Sequence, residues 1–277
     1  MNKHLFYSIL IICISLNTKM FAQTGIGARI NGMANTGVAV SDVWSVYYNQ
    51  AGLAQLTNLQ FAANFENRFM VKELSTKSIA AVIPVPRGTF GVSYSSFGYS
   101  LFRQNRVTLA YAMPLGNVIS PGIQLNYFYY KSSKTQNTAM VLIPETGIQI
   151  FPIKNLTIAA HVFNPAVQKI TNTDSEQIPV IFTFGFLYKF GTTALLTSQI
   201  QQNSINGTSY SLGIEYLLLS QIALRTGFAG NPTGTFFGIG YRNKGFGFDL
   251  AANYHPLLGY TTSGAFTYIF NKKTDAN

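Results

Sequence analysis

The stretch Ile178-Pro179-Val180-Ile181-Phe182-Thr183-Phe184-Gly185-Phe186-Leu187-Tyr188 decides the fold. In an extended chain successive side chains point to opposite faces, so Ile178, Val180, Phe182, Phe184, Phe186 and Tyr188 share one side. Water does not tolerate such a face on an exposed sheet. If it were the core side of a soluble sandwich, the other side should carry Lys, Glu and Asp, but that side carries Thr183, Gly185 and Leu187. A lipid-facing exterior over a mildly polar interior fits both faces.

Working outward, the same alternation recurs fourteen times between turn residues. The segments lie near 58–66, 75–84, 89–98, 105–113, 119–130, 138–151, 155–163, 178–189, 193–202, 208–217, 221–228, 235–242, 246–254 and 260–270. An even number returns the chain to its starting side, as exported single-chain barrels require. Tight connections such as Pro84 to Arg87, Pro114 to Asn117, Pro152 to Asn155 and Arg242 to Gly245 fall on the inner side. Longer polar ones, Lys131 to Asn137, Asn164 to Gln177 and Asn203 to Gly207, fall outside. Tyr188, Tyr216 and Tyr241 near inner turns, and Tyr129, Tyr254 and Tyr260 near outer ones, suit the aromatic girdles of a membrane interface.

Composition closes off the alternatives. Charged residues make up 10% of the chain, far below the roughly 25% of a soluble domain. After the first residues, no run reaches the roughly 18 apolar residues of a spanning helix. A closed barrel is the remaining structure that can satisfy its backbone in hydrocarbon. The chain begins with Lys3 and His4, an apolar run from Leu5 to Leu16, and Met20-Phe21-Ala22 before Gln23, which reads as a signal peptide over 1–22. Its one cysteine, Cys13, lies inside that leader, so disulfide and thiol chemistry are excluded from the mature protein.

Lys3 and Lys19 leave with the leader, so 17 of the 19 cations remain against 9 carboxylates. The cations are scattered over turns rather than interleaved with aromatics on one element, which argues against nucleic acid. Outer-membrane lipids and the phosphates of lipopolysaccharide are the expected counter-charges. Enzyme chemistry finds no support. The mature histidines, His161 and His255, are followed by Val162-Phe163 and Pro256-Leu257, so neither offers a His-x-Ser pair for acyl transfer. There is no Cys/His cluster or Asp-rich loop for a metal, and no nucleotide-binding context around Gly25-Ile26-Gly27, so no catalytic residue, metal or cofactor is assigned.

Residues 23–57 do not alternate. A Gly-rich opening (Gly25, Gly27, Gly32, Gly37) leads into Val38 to Ala54, with Trp44, Tyr47 and Tyr48 among small residues. This predicts a short helical or irregular plug at the periplasmic end, ahead of a barrel over 58–270 and a solvated tail over 271–277. Inside the barrel, hairpin arithmetic sets Glu215 opposite Arg225 across the turn near Ser220, Arg225 level with Gly238, and Gly238 opposite Asp249. An inward Glu215-Arg225-Asp249 charge network follows, since a lone charge there would be desolvated.

The run from Gly27 to Ala54, with its Met33-Ala34 lead, Asp42, and Tyr48-Asn49-Gln50-Ala51-Gly52-Leu53, resembles the opening of the FadL-like superfamily. That superfamily joins fatty-acid and hydrocarbon transporters to the PorV/PorQ proteins of type IX secretion in Bacteroidetes. Gln50 stands where the pattern has proline. The resemblance implies a fourteen-stranded outer-membrane barrel with a hatch inserted from the periplasmic side. In that hatch Asp42 and Asn49 would hydrogen-bond to the wall, or Asp42 would cap a helix, while Ala51 and Gly52 would allow close backbone approach. It also implies either passage or lateral release of small hydrophobic compounds, contacting Phe128, Tyr130, Phe163 and Phe236, or an accessory subunit that binds a secretion translocon or its cargo. The short outer loops favour the second role.

Overall fold

The structure, a computed structural model, describes residues 25–132, 137–169 and 178–270. The expected leader over 1–22, the tail over 271–277 and parts of two outer loops lie outside those residues. Fourteen strands close into one antiparallel barrel in simple meander order, the last pairing with the first. They are β1 Gln60–Asn67, β2 Ser75–Val85, β3 Gly88–Gly98, β4 Phe102–Ala112, β5 Ile119–Ser132, β6 Asn137–Ile153 and β7 Leu156–Phe163. The circuit continues with β8 Ile181–Phe190, β9 Ala194–Asn203, β10 Gly207–Leu217, β11 Ile222–Gly230, β12 Gly234–Asn243, β13 Phe246–His255 and β14 Gly259–Ile269. The all-β, fourteen-stranded transmembrane barrel expected from the sequence is borne out.

Burial follows the pleat. On β8, Phe182 and Phe184 are each 58% exposed on the outside, while Thr183, Gly185 and Leu187 are buried inside. Ile178 departs from the expected face: the strand begins only at Ile181, and Ile178 turns inward, 5% exposed, into an apolar cluster. Its carbonyl accepts from Asn164 Nδ2 at 3.3 Å, which holds this approach segment against the end of β7 instead of in the wall. Among the described residues no helix is long and apolar enough to cross a membrane, and the strands present the apolar surface instead.

All fourteen neighbouring strand pairs are hydrogen-bonded. The outer rim is stepped. β6 pairs with β5 from Asn137 onward, but with β7 only from Glu145, opposite Phe163. Thr138 to Ile143 therefore have no strand on the β7 side among the described residues.

Residues 25–57 pack inside the barrel as two single-turn helices, α1 Ala28–Asn31 and α2 Ser45–Tyr48, and a 3-10 turn over Gln50–Gln55. Trp44, Tyr47, Met33 and Leu53 are almost fully buried there. Seven inward wall glycines make the seat: a Cβ added at Gly91, Gly122, Gly147, Gly185, Gly213, Gly227 or Gly238 would lie within 3.1 Å of an atom of this segment. Gly122 faces Gly147 and Gly213 faces Gly227 directly across the ladder, so the glycines run together along the wall. Glycine inside a strand costs packing and is retained where another backbone must come close.

Two outcomes follow. Phe184→Lys, at the middle of β8, should lose roughly 2–4 kcal/mol in urea titration of the bilayer-inserted protein, the cost of a cation at the hydrocarbon midplane. Gly122→Val should leave the barrel heat-modifiable on gels, because the wall ladder survives. Its side chain would meet Ala51, 2.7 Å from the Cβ position, so trypsin should reach Arg29 faster than in the wild type.

Candidate functional site

Arg29 ties the inserted segment to β10, and alternating charges continue from there along the wall through β11, β13 and β12. Arg29 on α1 donates two hydrogen bonds to Glu215, Nε to Oε2 at 2.9 Å and Nη2 to Oε1 at 2.7 Å, and its Nη1 lies 3.1 Å from Asp42 Oδ2. Glu215 Oε2 also accepts from Arg225 Nε at 2.5 Å. Arg225 Nη1 is 2.8 Å from Asp249 Oδ1, an ion contact whose N–H is not aimed along a hydrogen bond, and Arg242 Nη2 stands 3.5 Å from Asp249 Oδ2. The order Asp42, Arg29, Glu215, Arg225, Asp249, Arg242 sets three cations against three carboxylates. Each buried charge thereby meets an opposite one, the condition under which burial is tolerable.

The structure thus brings together Glu215, Arg225 and Asp249, with Glu215 opposite Arg225 in the β10–β11 ladder. The glycine between them is corrected. Arg225 is opposite Gly238, but Asp249 is opposite Gly240, because the β12–β13 turn pairs Asn243 with Phe246 and shifts the register by two residues. Gly240 supplies the space: a Cβ there would lie 2.5 Å from both Arg225 Nη2 and Asp249 Oδ1. Gly238 serves the close approach of Gly32. Sequence reasoning missed Arg29, the partner that the helical segment contributes, since strand registers carry no information about a segment that does not alternate. Burial by itself would lower the Arg29 pKa, but the Glu215 carboxylate and its hydrogen bonds reverse this and hold it above the ordinary arginine value.

Asp42 is also corrected. Its oxygens take Arg29 and the backbone N–H of Trp44, at 2.8 Å, all within the inserted segment, and it reaches the wall only through Arg29. Nor does it cap α2: the N-cap position is Trp44, with no side-chain cap bond, and the Asp42 carboxylate closes a turn onto the Trp44 N–H ahead of the helix. Asn49 does bond to the wall: Nδ2 donates to Ile148 O at 3.3 Å and Ala160 O at 3.4 Å, and within the segment it also donates to Val38 O at 2.9 Å while Oδ1 accepts from Ala51 N. Ala51 lies against Gly122, and Gly52 makes room for Ser45 Oγ and Val40 O of its own segment and for Gln149 Nε2 of the wall. Gln50 donates to Gly122 O at 3.0 Å, a bond that proline at this position could not form.

A second inward network lies on β4 to β7. Glu145 Oε1 accepts from Arg106 Nη2 at 2.9 Å and Asn126 Nδ2 at 2.7 Å, and Glu145 Oε2 lies 2.9 Å from His161 Nε2. The Arg106 guanidinium also sits 5.4 Å from the ring centres of both Tyr47 and Phe128, so cation–π attraction ties the inserted segment to this wall as well. His161 is buried and inward, as expected of a polar wall residue. Toward the outer rim the network gives way to an apolar cluster of Phe128, Tyr130, Val141, Ile143, Phe163, Ile178 and Ile181. Three of the four aromatics expected to meet a ligand therefore pack together. The fourth, Phe236, lies apart from them and lines a cavity of about 180 Å³ on the outer side of the inserted segment. Phe69, Tyr254, Asn31, Glu66 and Ser263 share that cavity. A separate recess at the inner end is lined by Leu56, Pro84, Met113 and Pro114 and has no lining residue in common with it.

A closed wall with a lipid-compatible exterior and an interior filled by the chain's own N-terminal segment defines a plugged transmembrane β-barrel. The fold is that of solved FadL-type proteins. The chain is similar to the toluene transporter TodX of Pseudomonas putida, with a TM-score of 0.65 at 10% identity over 88% of this chain and 96% of that one. It is also similar to a FadL homologue of Pseudomonas aeruginosa (TM-score 0.60, 12% identity, 88% and 98% covered). The outer membrane protein Omp33 of Acinetobacter baumannii matches less closely (TM-score 0.52, 9% identity, 77% and 98% covered). No protein-family model and no curated protein matches the chain. The fold anticipated from the resemblance is therefore borne out at the level of architecture.

Glu215→Gln leaves Arg29 and Arg225 facing each other with their shared anion gone. The expected loss is about 3–5 kcal/mol of unfolding free energy, the range for breaking a buried pair. Asp42→Asn should cost less, since Arg29 keeps Glu215. Planar-bilayer recordings should show larger conductance for the Glu215 variant as the segment loosens.

Proposed function

We infer that this protein is a non-enzymatic outer-membrane barrel that captures small, weakly polar aromatic compounds from the outer side and releases them inward past its N-terminal segment. The observation that carries the reading is the outer cavity at Phe236. Its volume, about 180 Å³, is of the order of an apolar cavity of about 150 Å³ that holds benzene. Phe236 and Phe69 supply apolar wall, and Asn31, Asn253, Ser263 and the paired Glu66 and Arg68 supply polar groups that would orient a ring substituent. The likeness in fold to a toluene transporter supports the same ligand class.

Passage in this reading runs along the barrel axis. Below Glu145 lateral release would have to break a wall ladder, since every neighbouring strand pair is hydrogen-bonded there among the described residues. Residues 23–57 act as the hatch, with the Arg29–Glu215 contact and the Asn49 bonds as its catches, and the leader over 1–22 directs export. A second reading, an accessory subunit of a secretion system, is favoured by the open edge of β6 from Thr138 to Ile143. Unpaired strand edges accept an added strand from another polypeptide.

Toluene titrated into the detergent-solubilised protein should quench tyrosine and tryptophan fluorescence saturably, and Phe236→Glu should abolish the effect while Phe128→Leu changes it little. Tight binding unaltered by Phe236→Glu would reject the cavity as the capture site. Recovery of a secreted polypeptide crosslinked at Met140, with no toluene response in the wild type, would establish the second reading.

A further inference from the structure

Charge is divided between the two faces of the wall. Every strand-borne carboxylate among the described residues, Glu66, Glu145, Glu215 and Asp249, points inward and is buried. The outward face carries cations instead, and two of them are direct neighbours: Arg103 on β4 is opposite Lys131 on β5, both exposed. Like charges directly across a ladder repel. Neither forms an ion pair with any described residue, and Glu73, on the outer connection before β2, forms none with them.

Their height in the membrane is set by their own strand. Tyr127, Tyr129 and Lys131 share the outward face of β5, so the lysine stands one pleat beyond the girdle tyrosines, where headgroups begin. Tyr129 is opposite Asn105, Asn105 opposite Ser96, and Ser96 opposite Lys77, which is also exposed. A third cation thus lies one pleat lower and two strands from Arg103, roughly 10 Å across the sheet at the usual strand spacing. An arginine beside a lysine, with a second cationic point at a distance and no anion paired with them among the described residues, is suited to a ligand carrying two phosphates.

We propose that the outward surface of β2 to β5 around Arg103, Lys131 and Lys77 is a binding site for a phosphorylated outer-leaflet glycolipid of the lipopolysaccharide type. Arg103 and Lys131 share one phosphate, and Lys77 reaches the second. The acyl chains then lie against Tyr94, Val107, Leu125 and Tyr127, which are exposed on the same face below. The site is independent of the cavity at Phe236, on the opposite face of the wall.

The test uses the full-length protein in neutral detergent, titrated with lipopolysaccharide, with the same lipopolysaccharide after phosphatase treatment, with phosphatidylglycerol vesicles and with inorganic phosphate. The wild type should bind the phosphorylated glycolipid at least tenfold more tightly than the dephosphorylated one, with affinity falling as salt rises. R103Q/K131Q should lose about tenfold, while K189Q, an exposed cation at the inner end of β8, should lose nothing. Without glycolipid R103Q should melt no lower than the wild type, since a repulsion is removed; with it the wild type should gain more in Tm. Equal binding of the dephosphorylated lipid, or an equal loss in K189Q, would overturn the site. Phosphatidylglycerol binding as tightly would overturn the glycolipid, and displacement by millimolar inorganic phosphate would leave only a free-ion site. The wild-type comparisons decide even if the double variant does not fold.

Discussion

Hydrocarbon offers no partner to a peptide N–H or C=O, and the whole molecule is arranged around that fact. An antiparallel meander pairs each strand with its two neighbours, and closing the fourteenth onto the first removes the last two edges. Once closed, the wall must be greasy outside at every second position, which is why Phe, Leu, Ile and Tyr stand exposed all round it. The exception is the raised part of β6, which rises above β7 toward the outer rim.

Closure creates a second problem, because the barrel is too wide for its own side chains to fill. The N-terminal segment fills it, and the wall accommodates the segment by dispensing with side chains where the two backbones meet. Glycines on seven strands mark those contacts. Small apolar wall residues such as Ala62, Val82, Ala110, Ala159 and Leu187 pack against the segment's Trp44, Tyr47 and Leu53, and Asn49, Arg106 over Tyr47 and Arg29 on Glu215 add directional polar ties. At the buried centre of the charge network, Glu215, Arg225 and Asp249, removing one member leaves its neighbour with an uncompensated buried charge.

The separation of charge by face follows from the same medium. Carboxylates have an inward place because arginines of the wall and of the segment neutralise them there. Cations on the outer face have long side chains that reach the headgroup layer. The interior therefore carries the charge network and a small aromatic cavity, and the exterior carries apolar belts with cations at their rims. In the proposed reading, ligand capture inside and lipid recognition outside would occupy separate surfaces of one sheet.

The barrel was legible in the sequence because period-two alternation records which medium each residue touches, and hydrocarbon makes that record unusually clean. Strand number, the meander and the Glu215–Arg225 pair all came from local pattern and turn length. The two-residue error at Gly238 shows the limit, since one tight turn fixes the register of everything after it. The glycine seat also left a signal, inward glycines on successive strands, but its meaning depends on the object they make room for. Arg29 reaching Glu215, 186 positions away along the chain, left none. Nor did Asp42 turning back on its own segment, or Phe236 parting from Phe128, Tyr130 and Phe163. Sequence by itself determined the faces of each strand, because that is decided residue by residue by the solvent; only the closed tertiary structure decided what meets across the interior, because those partners depend on curvature, register and the path of a segment that repeats nothing.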